Sequence, residues 1–361
     1  MVDSVGPMTL ADRLASRVLE LVDVPSESRS EDALALHVLG VLADGGVAVR
    51  DAGDTCVVAG VAERGERPLV LLAGHLDTVP AQGNLPGRLE DGVVHGLGAS
   101  DMKAALGVMV ELALAGPLPE ATVDVGFVFF GREELPFGDS ALTPLLARSP
   151  GLLGADLVVV MEPTDNALHA GCVGNINATW TFRGVAGHSA RPWLADNAIH
   201  RAGRGIAALA AVEPVDVEFS GLVFREVVSA VTIRGGVARN VVPDECVVEI
   251  NMRYAPGTSA EDAEARLRTL CEPHGELVID GNAPSGAVPE GNALVSRLVD
   301  VGGLETAPKQ AWTPVAEFAA ARVDAINFGP GAPRFAHRRD EQVEVAALVT
   351  SYETLVRFLC A

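Results

Sequence analysis

His75 and Asp77 stand two residues apart in GHLDTVP. Asp101 lies in GLGASDMK, Glu133 and Glu134 adjoin in GREEL, Glu162 follows an apolar run in VVVMEPT, and His337 opens HRRDE. Asp101, Glu133, Glu134 and Glu162 would bring four negative charges into one cleft, where repulsion would protonate some or drive them apart unless cations were present. Two divalent ions carry the four positive charges that balance them, and a donor set of imidazole and carboxylate suits Zn2+. Two ions sharing a carboxylate, about 3.5–4 Å apart, clamp a water and a carbonyl oxygen side by side, which is the chemistry of metal-assisted hydrolysis. Taken singly, each residue has an ordinary reading. An HxD arises often by chance, and a glutamate pair is usually a solvated turn. Asp101 is well placed to cap the helix after it, and His337 beside Arg338 and Arg339 fits a surface. Their joint placement is what points to a metal site.

The elements that must position these residues are legible around them. Residues 69–73 (LVLLA), 125–130 (VGFVFF) and 157–161 (LVVVM) are short and wholly apolar, as central strands covered on both faces are. Helical patterns fall at 9–22, where Leu10, Leu14, Val18 and Leu21 share a face and Thr9 can cap, and at 102–115 and 139–148. This alternation predicts an α/β layer with a mostly parallel sheet flanked by helices. Such sheets bind ligands beyond the carboxyl ends of their strands, where His75-Leu76-Asp77, Glu133-Glu134 and Glu162-Pro163 fall. From about residue 176 the texture changes. Residues 177–183 alternate, a helix follows over 196–212, strands over 227–234 and 246–254, a helix over 259–271 and a short strand over 277–280. That β-α-β-β-α-β order predicts an inserted, ferredoxin-like α+β domain. After about 288 come a helix, a strand at 325–328 and a closing helix to about 360. The expected division is a catalytic domain of residues 1–175 and 288–361 and an inserted domain of 176–287, with hinges near 175 and 285.

Composition narrows the partners. A formal net charge of −21 argues against nucleic acid and anionic membranes, which need a basic face. No run of 18 apolar residues suggests a membrane span, and MVDSVGPMTLADR lacks the pattern of a signal peptide. Cys56, Cys172, Cys246, Cys271 and Cys360 are odd in number and scattered, so a disulfide framework or thiolate zinc site is not expected, and the cytoplasm is. His37, His95, His169, His200 and His274 read as packing or surface residues.

The motifs GHLDTVP (74–80), GLGASDMK (96–103), REEL (132–135), MEPT (161–164), GHSARP (187–192), RNVVPD (239–244) and HRRDE (337–341) resemble, in order over nearly the whole chain, those of the M20 zinc amidohydrolases and peptidases. The resemblance implies two Zn2+ per subunit, with Co2+ able to substitute. One ion would be held by His75 and Glu162, the other by Glu134 and His337, and Asp101 would bridge them. Asp77 would orient His75 through its ring N–H, and Glu133 would be the general base. His188, in the inserted domain, would reach the site of the partner subunit of a homodimer and stabilise the oxyanion, with Asn240 assisting. Arg253 is a candidate to read a substrate carboxylate, or is an ordinary exposed strand arginine. Thr313 is a candidate contact for the substrate's end. The implied reaction is hydrolysis of the amide of a small acyl-amino acid, a succinylated diamino acid first. An N-acetylornithine-type deacylase or a small carboxypeptidase is the alternative. A catalytically dead binding protein is the remote one, since this chain keeps every ligand position and the base. Two stretches depart from the family pattern. Ala104-Ala105 stand where two glycines are common, which predicts a packing change at the helix start. Pro314 and Glu317 stand where an acid and an arginine are expected, which bears on acyl specificity.

Overall fold

The computed structural model describes residues 8–361. The reading of the first seven residues as part of a leaderless N-terminus lies outside them. The first helix, Leu10–Asp23, starts at Thr9, whose hydroxyl accepts from Asp12 N–H while the Asp12 carboxylate accepts from Thr9 N–H. This reciprocal cap satisfies two donors that the first turn leaves free. Its buried face, with Leu14, Val18 and Leu21, lies against the helix Lys103–Leu114, and Val18 comes so close to Gly107 that a Cβ there would meet it at 2.6 Å.

The chain divides into two compact units. One comprises the chain up to Gly171, Val288–Ala307 and Thr313–Ala361. Its eight-stranded sheet has at its centre Asp124–Phe130, Leu69–His75, Leu157–Val160 and Ala325–Asn327, in that order and mutually parallel. Every residue of Leu69–His75 is buried, because helices cover both faces, and this explains why these strands are apolar throughout rather than alternating. Cys56–Gly60 and Val49–Gly53 extend one edge antiparallel, and Leu168–Ala170 the other, with Thr306–Pro308 outermost. The four parallel strands end on one rim. A separate three-stranded sheet, Gln342–Glu344, Val93–His95 and Arg88–Glu90, joins the segment after His337 to the one before Asp101.

The second unit comprises Cys172–Ala287 and Pro308–Trp312. Its antiparallel sheet runs Val215–Phe219, Leu222–Gly235, Glu245–Tyr254, Gly174–Arg183, Glu276–Ala283, and the helices Ala198–Ala210 and Ala260–Cys271 pack on it. This is the β-α-β-β-α-β order with one hairpin strand added, Val215–Phe219. Burial alternates along Gly174–Arg183 and Glu245–Tyr254. Ile176, Trp180, Phe182, Val248 and Ile250 make the core, and Asn175, Asn177, Asn251 and Arg253 share the opposite, polar face. The hairpin partner covers Leu222–Gly235 only as far as Glu226; beyond it Val231 and Ile233 are more than half exposed. Among the described residues no helix is long and apolar enough to cross a membrane.

Candidate metal centre

Strand ends put the chemistry in place. His75 is the last residue of Leu69–His75, and the next N–H, of Leu76, still bonds the Phe130 carbonyl (2.7 Å). Phe130 ends the neighbouring strand, after which the chain turns through Arg132, at φ 62°, into Glu133 and Glu134. Glu162 stands two residues past Leu157–Val160, held by Met161 N–H on the Ala73 carbonyl (2.8 Å). His337, at φ 62°, lies in the loop after Ala325–Asn327, and Gln82 donates to its carbonyl (3.1 Å). The Gly329 and Gly331 positions in that loop let backbones touch. A Cβ at Gly329 would sit 2.3 Å from the Met161 carbonyl oxygen, and one at Gly331 would sit 2.1 Å from that of Ser100. Asp101 precedes the helix Lys103–Leu114 but does not cap it: the cap residue is Met102, and no side-chain cap bond forms.

The side chains converge. His75 Nε2 is 3.2 Å from Asp101 Oδ1 and 3.8 Å from Glu162 Oε1. His337 Nε2 is 2.9 Å from Glu134 Oε1 and 3.6 Å from Asp101 Oδ2. The two oxygens of Asp101 thus face different histidines. His75, Asp101 and Glu162 form one group of candidate ligand atoms within 4.8 Å of one another; Asp101, Glu134 and His337 form a second, and His75, Glu133 and Glu134 an overlapping third. A tetrahedral ion with bonds of about 2.0–2.1 Å separates neighbouring ligand atoms by about 3.3 Å. The four distances above straddle that figure, so both trios fit a cation, and the shared carboxylate offers one oxygen to each.

Asp77 braces this arrangement from beneath. It is fully buried, and its carboxylate accepts the N–H groups of Glu133 (2.9 Å) and Glu134 (3.1 Å) and the hydroxyl of Ser28 (2.8 Å). The ring of His75 is oriented chiefly by the Asp77 backbone: Nδ1 lies 2.9 Å from its carbonyl oxygen and 3.7 Å from the carboxylate. Without cations the cleft holds its charge by sharing protons. Burial, then the charge of Glu162, pushes the Glu133 carboxyl well above its ordinary value, with His75 opposing. Burial raises Glu134, and its bond to His337 opposes this. Burial alone would lower His75, but the bond to Asp101 and the charges of Glu133, Asp101 and Asp77 lift it well above 6.5. The bond to Glu134 lifts His337 to about 9. Imidazoliums standing among carboxylates are the charge pattern that divalent cations replace.

The second unit carries three of the other expected residues, His188, Asn240 and Arg253. His188 pairs with Val241, the neighbour of Asn240, and the Asn240 carbonyl accepts the N–H of Ser189 (3.0 Å), so both lie on one exposed turn. His188 Nδ1 accepts from Ala190 N–H (3.0 Å), which leaves the ring proton to Nε2. Arg253 is half-buried, and its Nε donates to Asn251 Oδ1 (3.0 Å). Asn251 in turn donates to Asn175 and Asn177. Among the described residues no carboxylate pairs with Arg253. Thr313, in the first unit, is fully buried just before the helix Val315–Ala320.

Ser28 and Glu341 carry no role in the sequence reading, and Glu317 is read there only for its bearing on acyl specificity. Ser28 braces Asp77, and Glu341 accepts three backbone N–H groups around Asp101. Glu317, almost fully buried, accepts from the hydroxyls of Ser140 (3.0 Å) and Thr143 (2.6 Å) and from Thr143 N–H (3.0 Å). It ties its helix to the segment downstream of Glu133-Glu134. The one available signal for Glu341 was an acid at the end of HRRDE, just before a strand, where an exposed charge run reads the same. Ala104 and Ala105 are buried at the start of their helix.

A parallel α/β sheet whose strand ends gather two histidines and four acids defines a hydrolase of the metal-dependent amidase and peptidase class. The sequence pattern of peptidase family M20/M25/M40 matches residues 71–361, and the chain belongs to that family. It is 39% identical, over 94% of this chain and 96% of the other, to a provisionally named succinyl-diaminopimelate desuccinylase (DapE) of Mycobacterium tuberculosis. It is 36% identical, over 92% and 94%, to the succinyl-diaminopimelate desuccinylase of Corynebacterium glutamicum. The crystal structure of the aminopeptidase PepT from Bacillus cereus shares the fold, with a TM-score of 0.78 at 18% identity over 98% of this chain and 99% of that one. The chain is an enzyme acting on an amide bond.

Proposed function

We propose that the chain hydrolyses N-succinyl-L,L-2,6-diaminopimelate to succinate and L,L-diaminopimelate, in the cytoplasm, as a step of diaminopimelate and lysine synthesis. The observation that carries this reading is the 36% identity, spread over more than nine-tenths of both chains, to the Corynebacterium glutamicum enzyme of that name. Two zinc ions belong to the reading: His75 and Glu162 would hold one, Glu134 and His337 the other, and Asp101 both. Cobalt(II) would substitute. When bound, the ions polarise the scissile carbonyl and acidify the attacking water.

The chain's own residues do the rest. Glu133 takes the proton that the water gives up and passes it to the leaving amine. Asp77 keeps Glu133 and Glu134 in place through their N–H groups. His188, from the partner subunit of a homodimer, turns its Nε2–H toward the oxyanion, with Asn240 beside it. The uncovered edge of Leu222–Gly235, with Val231 and Ile233 exposed, supports pairing between copies. Arg253 offers its terminal N–H groups to a substrate carboxylate, and Thr313 remains a candidate contact at the substrate's end.

A product assay on the zinc-loaded enzyme tests the reading. Turnover of N-succinyl-L,L-diaminopimelate well above that of N-acetylornithine and of dipeptides is expected. Turnover of one of those instead would overturn the substrate assignment.

A further inference from the structure

Glu341 is buried, 2% exposed, four residues after His337. Its Oε1 accepts the N–H groups of Ser100 (3.0 Å) and Asp101 (2.8 Å), and its Oε2 that of Gly98 (2.9 Å). Three donors of one tight loop therefore converge on a single side chain from the far end of the sequence. The backbone repeats the attachment: Gly96 N–H bonds the Glu341 carbonyl (3.1 Å), and Gln342 pairs with His95. Ser100 Oγ adds a bond to the Ala332 carbonyl (2.9 Å). On the helix side the backbone adds one bond, from Lys103 N–H to the Gly98 carbonyl (2.7 Å), but no side-chain cap holds the start of Lys103–Leu114. Asp101 is carried by this loop, and Glu341 is the one side chain that accepts three of its N–H groups.

We propose that Glu341 is a positioning residue for the candidate cation pair: by fixing Gly98–Asp101 it aims one oxygen of Asp101 at His75 and Glu162 and the other at His337 and Glu134. This rests on Asp101 being the shared ligand. Because Asp101 belongs to both trios, loosening its loop weakens both positions together, whereas losing an outer ligand such as Glu162 weakens one first. Groups that hold ligands in place are typically worth about 10–100-fold in metal affinity.

The test is titration of the metal-free full chain with zinc, and with cobalt(II) followed by its visible absorption, for wild type, Glu341→Ala, Glu341→Gln, Asp101→Ala and Glu162→Ala. Glu341→Ala is expected to lower the affinity for both ions by roughly 10–100-fold and to shift the cobalt bands at saturation, with an unchanged far-UV spectrum. Glu341→Gln keeps an oxygen for Ser100 and Asp101 but sets an amide N–H group against Gly98, so it falls between wild type and alanine. If the alanine variant does not fold, the glutamine variant decides alone. Wild-type affinity for both ions, a loss confined to one ion, or a lowered melting temperature with unmoved cobalt bands would each overturn the proposal. Wild type taking up no metal, or Asp101→Ala binding like wild type, would instead overturn the site reading beneath it.

Discussion

Glu133 stands against the other acids without being one of the outer ligands of either trio that Asp101 joins, and its backbone is held by Asp77. Replacing it should therefore separate chemistry from metal binding. Glu133→Gln is expected to lower kcat by about 10²–10⁴ while zinc content, measured on the same sample, stays at the wild-type level. Wild-type turnover, or lost zinc, would remove Glu133 from the role of base. The candidates His75, Glu133, Glu134 and Glu162 were legible because each ends or closely follows a buried apolar strand, and a carboxylate there has few other reasons to exist. Their supports were not legible. Glu341 sits in a run of charges whose Arg338 and Asp340 are exposed and pair with each other, so side-chain type alone could not say which acid turns inward. The brace on Glu133 and Glu134 comes from a carboxylate 56 and 57 residues earlier, a contact that only the sheet creates.

At the scale of elements, apolar runs marked the parallel strands well, because a strand buried on both faces has no alternation to misread. The segment 139–148 reads as one helical stretch but is broken: a short 3₁₀ turn at Phe137–Asp139 precedes the helix Leu142–Arg148. The break lies at Ser140, whose hydroxyl accepts from Leu142 N–H and donates to Glu317. The helix Asp32–Asp44 (DALALHVLGVLAD) was legible only as a helical pattern around His37, because it is apolar nearly all round and shows little periodicity. The hairpin strand Val215–Phe219 (VDVEF) is short and largely exposed.

Glu317 makes the tie between elements testable. Burial raises its carboxyl above the ordinary value, against the bonds from Thr143 and Ser140. The folded protein thus binds the proton more tightly than the unfolded chain, so this group's contribution to stability falls as pH rises above about 4.5, the unfolded value. Glutamine keeps an acceptor and cannot ionise. The melting temperature of Glu317→Gln relative to wild type should therefore increase from pH 5 to pH 8. A difference independent of pH would show that the carboxyl is not held up in the fold.

At the scale of the whole molecule, the β-α-β-β-α-β order of the second unit was readable from alternation and spacing. The return of Pro308–Trp312 to that unit was not, since five residues carry no period. If His188 acts in trans, two dead subunits should complement each other. A one-to-one mixture of His188→Ala and Glu133→Ala chains, dissociated and reassembled, should recover up to about a quarter of wild-type activity, because half the dimers are mixed and each holds one intact site. No recovery, with mixed dimers verified by mass, would confine each site to one chain.

The shared role of Asp101 is where the residue, element and molecular readings meet. Diffraction from zinc-loaded crystals on either side of the zinc absorption edge would test it directly. Two anomalous peaks about 3.5–4 Å apart are predicted, one beside His75 and Glu162 and the other beside Glu134 and His337, with Asp101 reaching both. A single peak, or zinc bound elsewhere while these five side chains stay empty, would contradict it.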